Sequence, residues 1–447
     1  MVVYKGLTYS DDYKVCYGFN KETYKKDEKV LRFHPNTKII CPSAFADCTH
    51  LEEIIFPGKL ERIDDYAFVD CKNIKKMKFG KNIFAVGDKA FYGTYCHFEK
   101  LYLPKISYMG LYSFASFEIE KLILPHNLKK FEPTAFCKVK EYVIEDSRHY
   151  KTINGDLYTF IAYYNMPQEM ALARKGFNDA PIEQKCTMIE RSAFENFKNE
   201  NYELHLENIK YIKEDAFEEA SLGKVYVKTI SSMLTRNTFI NCNIKKLFLY
   251  KDSTFCPMEK LTIEDIELEK GCTKFYIKDG VLYKGNILLY YLNSNKREKF
   301  VCPENVETIY SFAFPENVFL KEIVLNNNNI MLYENSISRL LNLEKFIAPS
   351  KFNSMGEIFH EAAPIKEIFI PDKSRLSGCS FLNRKNELTI HMTKEQMEFL
   401  EYCVKGFTAN EFVKIEYFKT FDELYNEGKT ISEINKILKK QNDLLNL

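Results

Sequence analysis

The side chains best suited to bind a metal or act as nucleophiles are thirteen cysteines and eight histidines. Zinc sites place their ligands at short fixed spacings such as C-x-x-C or H-E-x-x-H, and neither spacing occurs in this sequence. Cys48, Cys71 and Cys242 do share one position, three residues after a recurring phenylalanine. A column of thiols would suit redox or metal chemistry, but Thr94 takes the same position in another copy. We therefore predict small buried side chains and no metal site.

Other signatures of catalysis are missing from the sequence. It has no glycine-rich phosphate loop, no G-x-S-x-G motif and no dinucleotide-binding fingerprint. Lys and Arg (63) nearly balance Asp and Glu (62), which disfavours nucleic acid as a partner. We expect a protein that is not an enzyme, needs no cofactor and recognises any partner through a local surface.

The phenylalanine that precedes these cysteines belongs to a repeat with a spacing of 22 or 23 residues within each of three groups. The residue five positions before it is apolar in eleven of twelve copies, and the residue just before it is small in all copies except one. This pattern indicates an Ala-Phe pair that fills the interior of a coil, where a larger neighbour would overpack the contact. The anchor positions are Phe45, Phe68, Phe91, Phe114, Phe136, then Phe194, Phe217, Phe239, then Phe314, Ile337, Phe359 and Phe381.

Short runs with period-two alternation lie between the anchors, for example EEIIFP (52–57), EKLYLP (99–104) and KEIFIP (366–371). One strand and one turn in 22 or 23 residues cannot bury their own apolar face. The copies must therefore stack, each strand pairing in parallel with the next, to form a solenoid.

The N-terminus and the two long gaps between anchors carry a second signal. The segments VYKGLTYS (3–10), INGDLYTF (153–160) and IKDGVLYKG (277–285) place a glycine in a tight turn, which predicts β-hairpins. Each hairpin opens a block that continues with coils. We expect blocks at 1–145, 146–270 and 271–392, followed by a C-terminal segment at 393–447.

The unit LEEIIFPGKLERIDDYAFVDC (51–71) resembles the BspA-like leucine-rich repeat family. The segment FYIKDGVLYKG (275–285) is similar to the insert that separates blocks in that family. The resemblance implies a right-handed solenoid with a parallel β-sheet. Together with the hairpins predicted above and a helical C-terminal segment, the expected fold is an α/β repeat solenoid with β-hairpin inserts. The resemblance also implies a scaffold used in adhesion and protein recognition, commonly at microbial surfaces.

In each predicted strand, one residue between the two inward apolar positions should face solvent. This outer column is mostly aromatic or β-branched, and the neighbouring outward column is charged throughout. Such a stripe is typical of a recognition surface, although aromatic and β-branched residues also favour strands in their own right. The outer column is Ile55, Lys78, Tyr102, Ile123, Val143, His205, Tyr226, Phe248, Val324, Ile347 and Phe369.

We predict that a protein or peptide partner binds this column. The richest aromatic part is Tyr226 with Phe248, near a segment at 250–272 that fits the repeat poorly and could shape a pocket. The predicted contact residues are Tyr102, Ile123, His205, Tyr226, Phe248, Lys224 and Lys246.

The C-terminal segment changes character. The runs at 393–404, 420–428 and 430–445 each begin with Thr followed three residues later by Gln or Glu, a helix-capping signature. We expect helices that cap the last coil and could join two copies into a homodimer. The alternative is a regulator acting through these helices, because EGKTISEINKILKK (427–440) faintly resembles the start of a DNA-binding helix-turn-helix.

The sequence also bears on location. No apolar run is long enough for a transmembrane helix, and the first residues lack the apolar stretch of a secretory signal. An odd number of cysteines suits a reducing compartment. We expect a cytoplasmic protein; the alternative is a cell-surface or secreted one whose signal was removed or whose route is non-standard.

Overall fold

The computed structural model of the chain describes residues 1–24, 28–126, 128, 131–136, 138–144, 147, 150–161, 169–228, 238–327, 329–337, 340–348, 352–354, 358, 365–370, 387–394, 397–398, 413–419, 424, 427 and 429–445. The chain forms two compact units. The first comprises Met1–Lys224 and Ser232–Cys242, and the second comprises Val225–Ser231 and Asn243–Leu447. The block boundaries expected from the sequence stay a prediction.

The first unit consists mainly of short β-strands. They are β1 (Val2–Tyr4), β2 (Leu7–Tyr9), β3 (Val15–Phe19), β4 (Val30–Arg32), β5 (Ile39–Ile40), β6 (Glu53–Ile55), β7 (Arg62–Ile63), β8 (Lys76–Lys78), β9 (Ala85–Val86), β10 (His97–Phe98), β11 (Leu101–Tyr102), β12 (Tyr108–Met109), β13 (Glu118–Leu124), β14 (Lys138–Ile144), β15 (Tyr150–Ile153), β16 (Asp156–Ile161), β17 (Glu169–Arg174), β18 (Cys186–Ile189), β19 (Lys198–His205) and β20 (Tyr211–Ile212). Strand β21 (Ser221–Val227) has residues in both units.

The second unit combines strands with one long helix. Its elements are β22 (Asn243–Leu249), β23 (Thr262–Leu268), β24 (Tyr276–Lys278), β25 (Val281–Lys284), β26 (Ile287–Tyr291), β27 (Lys299–Cys302), β28 (Thr308–Ile309), β29 (Glu322–Leu325), β30 (Ile330–Leu332), β31 (Lys345–Ile347), β32 (Phe352–Ser354), β33 (Glu367–Ile370), β34 (Leu388–Met392), β35 (Val413–Tyr417) and helix α1 (Ile431–Leu445).

Coils of the first block contribute two short strands each, rather than the single strand predicted. Strands β5, β7, β9 and β12 pair in parallel in one sheet, and β4, β6 and β8 pair in parallel in another. The register is that of the repeat, since Ile40 lies opposite Ile63 and Ile63 lies opposite Val86. The first sheet was not predicted, because strands of two residues are too short to show a period. The predicted parallel solenoid is confirmed, with two strand columns instead of one.

The Ala-Phe pair fills the inside of the coils, as predicted. Phe45, Phe68, Phe91, Phe114 and Phe136 are buried and stack ring on ring, with neighbouring centroids 4.9 to 5.5 Å apart. This interval is close to the ~4.8 Å between paired strands, so one ring per coil builds a continuous aromatic column. The second block repeats the stack with Phe194, Phe217 and Phe239.

Backbone contacts between coils explain the small residue before each phenylalanine. The N–H of Phe68 donates to the carbonyl of Ala90 at 2.7 Å, and the N–H of Phe91 donates to the carbonyl of Ser113 at 3.0 Å. Successive coils therefore touch backbone to backbone at the small residue. A larger side chain there would push the coils apart.

The position three residues after the anchor is buried, as predicted for Cys48, Cys71 and Cys242. The thiol of Cys71 donates to the carbonyl of Phe45 at 3.0 Å, and the hydroxyl of Thr94 donates to the carbonyl of Phe68 at 2.8 Å. Cysteine and threonine therefore serve the same purpose, which is to satisfy an anchor carbonyl of the preceding coil.

Each block opens with three antiparallel strands, and the third of them starts a parallel column. These strands are β1 to β3 in the first block, β15 to β17 in the second and β24 to β26 in the third. Strand β3 then pairs in parallel with β5, β17 with β18, and β26 with β28. The tight turns hold Gly6, Gly155 and Gly280 at positive φ, which glycine adopts without a Cβ clash.

In the C-terminal segment, one of the three predicted helices is described almost in full. Helix α1 is present, and its capping box is formed: Glu433 N–H donates to Thr430 Oγ1 at 3.3 Å, while Thr430 N–H donates to Glu433 Oε2 at 2.9 Å. In the predicted helix 393–404, residues 394, 397 and 398 are helical, and most of the rest lies outside the described residues, as does most of 420–428. Strand β35, which pairs in parallel with β34, was not predicted.

Candidate partner-binding surface

The outer face of the strands in the first unit carries a row of predicted contact residues. Tyr102 lies opposite Ile123, and Ile123 lies opposite Val143, in neighbouring parallel strands. Tyr102 is 51% exposed, and Ile123 and Val143 are partly exposed, whereas the alternating residues Leu101 and Leu122 are buried. The structure therefore brings Tyr102 and Ile123 together on a surface row.

Charged residues flank this row. Lys121 and Glu141 lie directly opposite each other, with Nζ 3.1 Å from Oε1. Exposed ion pairs of this kind stabilise a fold by only about 0–1 kcal/mol. Their main consequence is a charged rim beside an apolar row, which is the composition of many interfaces.

A compact aromatic group lies on the outward side of the second unit. The Tyr226 and Phe248 rings have centroids 5.3 Å apart, and Phe248 meets Tyr250 edge-on at 5.0 Å. All three side chains are partly exposed. Beside them, Lys246 Nζ lies 3.1 Å from Asp265 on the neighbouring strand. The structure therefore places three of the predicted contact residues, Tyr226, Phe248 and Lys246, in one patch.

The segment 250–272 is more regular than the sequence indicates. It contains β23, which pairs in parallel with β22 from Asn243 opposite Thr262 to Leu249 opposite Leu268. This repeat was not predicted, because its turn lacks the Ala-Phe pair. The hydroxyl of Ser253 instead donates to the carbonyl of Val227, in the manner of Thr94 in the first block.

His205 and Lys224 lie in the first unit. His205 ends β19 with an exposed side chain, and its Nδ1 lies 3.1 Å from Glu207 Oε1 while its Nε2 lies 4.0 Å from Glu203 Oε2. Lys224 is partly exposed on β21. Both side chains point outward from their strands, as expected from alternation.

The outer column of the third block contradicts the expectation of exposure. Val324, Ile347 and Phe369 lie opposite one another on β29, β31 and β33, but only 0%, 1% and 6% of their surfaces are exposed. They form a hydrophobic cluster against which Phe418 packs. His391 stacks on Phe369 with ring centroids 4.3 Å apart. The side chains point outward as predicted, yet they are covered.

The segment after β34 supplies part of this cover. Phe418 follows β35, and its N–H donates to the carbonyl of Met392 at 3.0 Å. Lys419 is then held by α1, because Gln441 Nε2 donates to its carbonyl at 2.8 Å and Lys419 N–H donates to Gln441 Oε1 at 3.3 Å. The tail thus extends the sheet with β35 and places an aromatic ring on the outer column.

A groove on the turn-borne side of the first unit was missed by sequence analysis. It has a volume of about 670 Å³, and Tyr92, Tyr95 and Tyr112 are among the residues that line it. Tyr66 and Tyr112 stand two residues before their anchors with φ of 58° and 56°, a conformation that disfavours bulky side chains. Turn chemistry alone would favour Asn, Asp or Gly there. Of these two tyrosines, Tyr112 lines the groove, so its position in the turn is only a partial signal of the groove.

Within the described part of the chain, no group of three or more His, Cys, Asp or Glu side chains could hold a metal ion. The same residues include no helix that is long and apolar enough to cross a membrane.

Three solved structures with a similar course of the chain come from bacteria. The pneumococcal vaccine antigen PcpA is 13% identical, with 93% of this chain and 99% of that chain covered and a TM-score of 0.27. A leucine-rich repeat protein from Bacteroides ovatus is 14% identical, with 94% and 100% covered and a TM-score of 0.28. A leucine-rich cell surface protein from Faecalibacterium prausnitzii is 13% identical, with 94% of each chain covered and a TM-score of 0.29.

A family model gives the stronger comparison. The comparison with curated proteins finds no match. Because the TM-scores of the solved structures are low, the family of the chain is assigned from the family model alone. The model for the BspA type leucine-rich repeat region matches six copies, in residues 22–154, 169–275 and 286–409, which together make up most of the chain. These ranges contain the stacked phenylalanines and the parallel strand columns described above. The chain belongs to the BspA type leucine-rich repeat family.

Proposed function

We propose that this chain is a non-catalytic binding or scaffold protein that recognises a protein or peptide partner on the outer face of its strands. The observation that carries the proposal is the aromatic group of Tyr226, Phe248 and Tyr250 in the second unit, whose rings contact one another but stay partly exposed. Rings that are ordered by mutual contact lose little further side-chain freedom on binding. They still have apolar surface for a partner to cover.

The surroundings of these rings fit a binding surface. Energetically important interface positions favour tyrosine and other aromatic residues ringed by polar groups. The pair of Lys246 and Asp265 supplies such a polar edge beside Phe248. The partner expected here is a protein or peptide that presents apolar side chains to the rings and polar groups to the edge.

The remaining predicted residues belong to the same proposal as separate contacts in the first unit. Tyr102 and Ile123 offer an apolar row, and His205 and Lys224 offer polar groups on neighbouring strands. We assign them a supporting part, because an exposed row without ring-to-ring contacts has more freedom to lose on binding.

The test is an affinity capture with three forms of the full chain. The wild type and a Tyr92→Ala, Tyr95→Ala control should retain a common partner, since both control tyrosines lie on the turn-borne side. The Tyr226→Ala, Phe248→Ala variant should bind that partner at least tenfold more weakly, a loss of about 1.4 kcal/mol. If only the control loses the partner, the function moves to the groove and the proposal fails.

The C-terminal helix supports the alternative of a regulator or homodimer. Ile431 at the start of α1 is 61% exposed and offers an apolar contact for a second copy. Sedimentation of wild type and of Ile431→Glu separates the two ideas. A dimer that dissociates in Ile431→Glu would favour the helix-based alternative, and a monomer in both forms would leave the strand face as the binding surface.

The cysteines bear on where the protein is located in the cell. The described cysteines include ten free thiols, most of them buried, and such thiols suit a reducing compartment. We therefore propose that the protein is cytoplasmic; the alternative is a cell-surface or secreted protein, as the family resemblance implies. Fractionation of the producing cells decides between them.

A further inference from the structure

The three block openings place two residues against each other in the same way. The first residue after the turn glycine starts the second strand, and it faces a residue near the end of the third strand. In the first and third blocks both partners are apolar or aromatic, and they are the pairs Leu7 with Phe19 and Val281 with Tyr291. In the second block the corresponding residues are Asp156 and Lys175, with Nζ 2.9 Å from Oδ1.

This ion pair is fully buried. Neither side chain has any exposed surface. A buried ion pair loses the hydration of two charges, and apolar residues of similar volume often replace such pairs without loss of stability. The other two blocks supply that apolar solution in the same fold. Stability alone therefore does not explain why the second block carries charges here.

Further contacts hold the two groups in place. Lys175 Nζ donates to Asn178 Oδ1 at 2.8 Å, and it lies 5.1 Å from the ring centroid of Tyr202. Asp156 Oδ1 also accepts from the N–H of Gly176 at 2.9 Å. Among the residues that the structure describes, no donor reaches the buried Asp156 Oδ2. The amine is thus held against a carboxyl group with one oxygen stabilised and the other left without a hydrogen bond.

Burial also favours the uncharged forms of both groups. Desolvation raises the pKa of Asp156 to about 6, against the opposing effect of Lys175. Desolvation likewise lowers the pKa of Lys175 below 10.5, against the opposing effect of Asp156. A neutral carboxylic acid beside a neutral amine is the reactive combination for forming an amide.

We propose that Lys175 and Asp156 condense into an isopeptide bond that locks the opening sheet of the second block. Nζ attacks Cγ of the neutral carboxyl group, and the N–H of Gly176 stabilises the negative charge that develops on Oδ1. The Cγ–Oδ2 bond then breaks. Oδ2 leaves as water, taking its own proton and one proton from the amine, and no other reactant is consumed.

The fold favours this step by holding the two reacting groups next to each other. Holding the two groups in contact replaces a collision between free molecules, which is worth many orders of magnitude in effective concentration. The same bond would join β16 covalently to the residue that directly follows β17. It would therefore hold the second block's antiparallel strands together under load, and it would remove the cost of two buried charges.

The test is the mass of the intact, denatured chain. The proposal expects a mass lower than that of the sequence by one water molecule, and a proteolytic peptide in which Asp156 and Lys175 are joined. Lys175→Arg is the matched control, because it keeps the positive charge but cannot form the amide, so its mass should equal that of its sequence.

Two results would overturn the proposal. An unchanged mass in the wild type would leave Asp156 and Lys175 as a simple ion pair. A loss of one ammonia molecule, with Lys175 joined to Asn178, would show that the amide nitrogen of Asn178 is the leaving group and that Asp156 is not the acceptor. The wild-type mass decides the matter even if the control variant fails to fold.

Discussion

The outer columns of the first and third blocks obey the same repeat but have different surroundings. In the first block, Tyr102 and Ile123 are exposed or partly exposed on neighbouring parallel strands. In the third block, Ile347 and Phe369 hold the corresponding positions and are almost completely buried. Phe418, from the segment that follows the last strands, packs on the covered column.

This difference separates two properties that strand alternation is often taken to predict together. Alternation fixes the direction in which a side chain points, because successive residues of a strand face opposite sides. It does not fix whether another part of the chain covers that side. On the function proposed above, the binding surface is the part of the outer column that the rest of the chain leaves open.

The largest loss of stability is expected from a substitution of an inward-facing residue, a class of residue that both blocks contain. Phe68→Ala removes one ring from the stacked column and leaves a cavity, so it should reduce the free energy of unfolding by about 3–5 kcal/mol. Tyr102→Ala, on the open outer column, should cost less than half of that. Urea titration of both variants measures the losses, and equal losses would contradict the inward and outward assignments.

The two outer columns can be compared directly with one residue type. Ile347→Ala in the covered column should reduce the free energy of unfolding by about 2–5 kcal/mol, because it truncates a fully buried side chain. Ile123→Ala in the open column should cost about 1 kcal/mol or less, since its side chain is already partly hydrated. The same denaturant titration serves for both. A larger loss for Ile123→Ala would reverse the comparison.

Phe418 should contribute a smaller amount, since its ring is only partly buried. Phe418→Ala should lower the free energy of unfolding by about 1–2 kcal/mol through lost apolar contact with the covered column. Tyr417→Ala is the control, because Tyr417 is its exposed neighbour. If the two substitutions have the same small effect, Phe418 does not hold the tail on the column.

A pH effect should distinguish the covered column as well. Burial, the largest influence, lowers the pKa of His391 below 6.5 despite the nearby carboxylates of Glu416 and Glu367, and Lys345 and Lys414 lower it further. The unfolded chain therefore binds a proton more readily than the folded chain, so stability should fall as the pH drops below 6.5. His391→Gln should show a weaker decline over this range in thermal melts. Identical declines would exclude His391 as the cause.

Much of the architecture could be predicted from the sequence because the repeat places an Ala-Phe pair in every coil. The stack from Phe45 to Phe136 and the hairpin turn at Gly155 follow from local patterns that leave few alternatives. The strand Arg62–Ile63 could not be predicted, since two residues carry no period. Strand β35 was missed because it is far from the last recognisable repeat and is defined by its pairing with β34.

For the candidate site, the sequence predicts which side chains point outward but not which of them are exposed. The contact between Tyr226 and Phe248 follows from two outward positions one repeat apart. In the third block, Phe418 packs against the cluster that contains Val324, although it lies 94 residues later in the chain (418 − 324). No local pattern encodes such a contact. The groove at Tyr112 was missed for a similar reason, because its walls come from two blocks.

Hydroxyl-radical footprinting of the native chain, read by mass spectrometry, tests the central claim that the outer column is open in one region and covered in another. After correction for intrinsic reactivity, Phe248 should be oxidised several-fold faster than Phe369, although both are phenylalanines at the same position of the repeat. Tyr102 should also be reactive. Equal corrected rates for Phe248 and Phe369 would contradict the account, because they would mean that the tail does not decide which part of the face is available for binding.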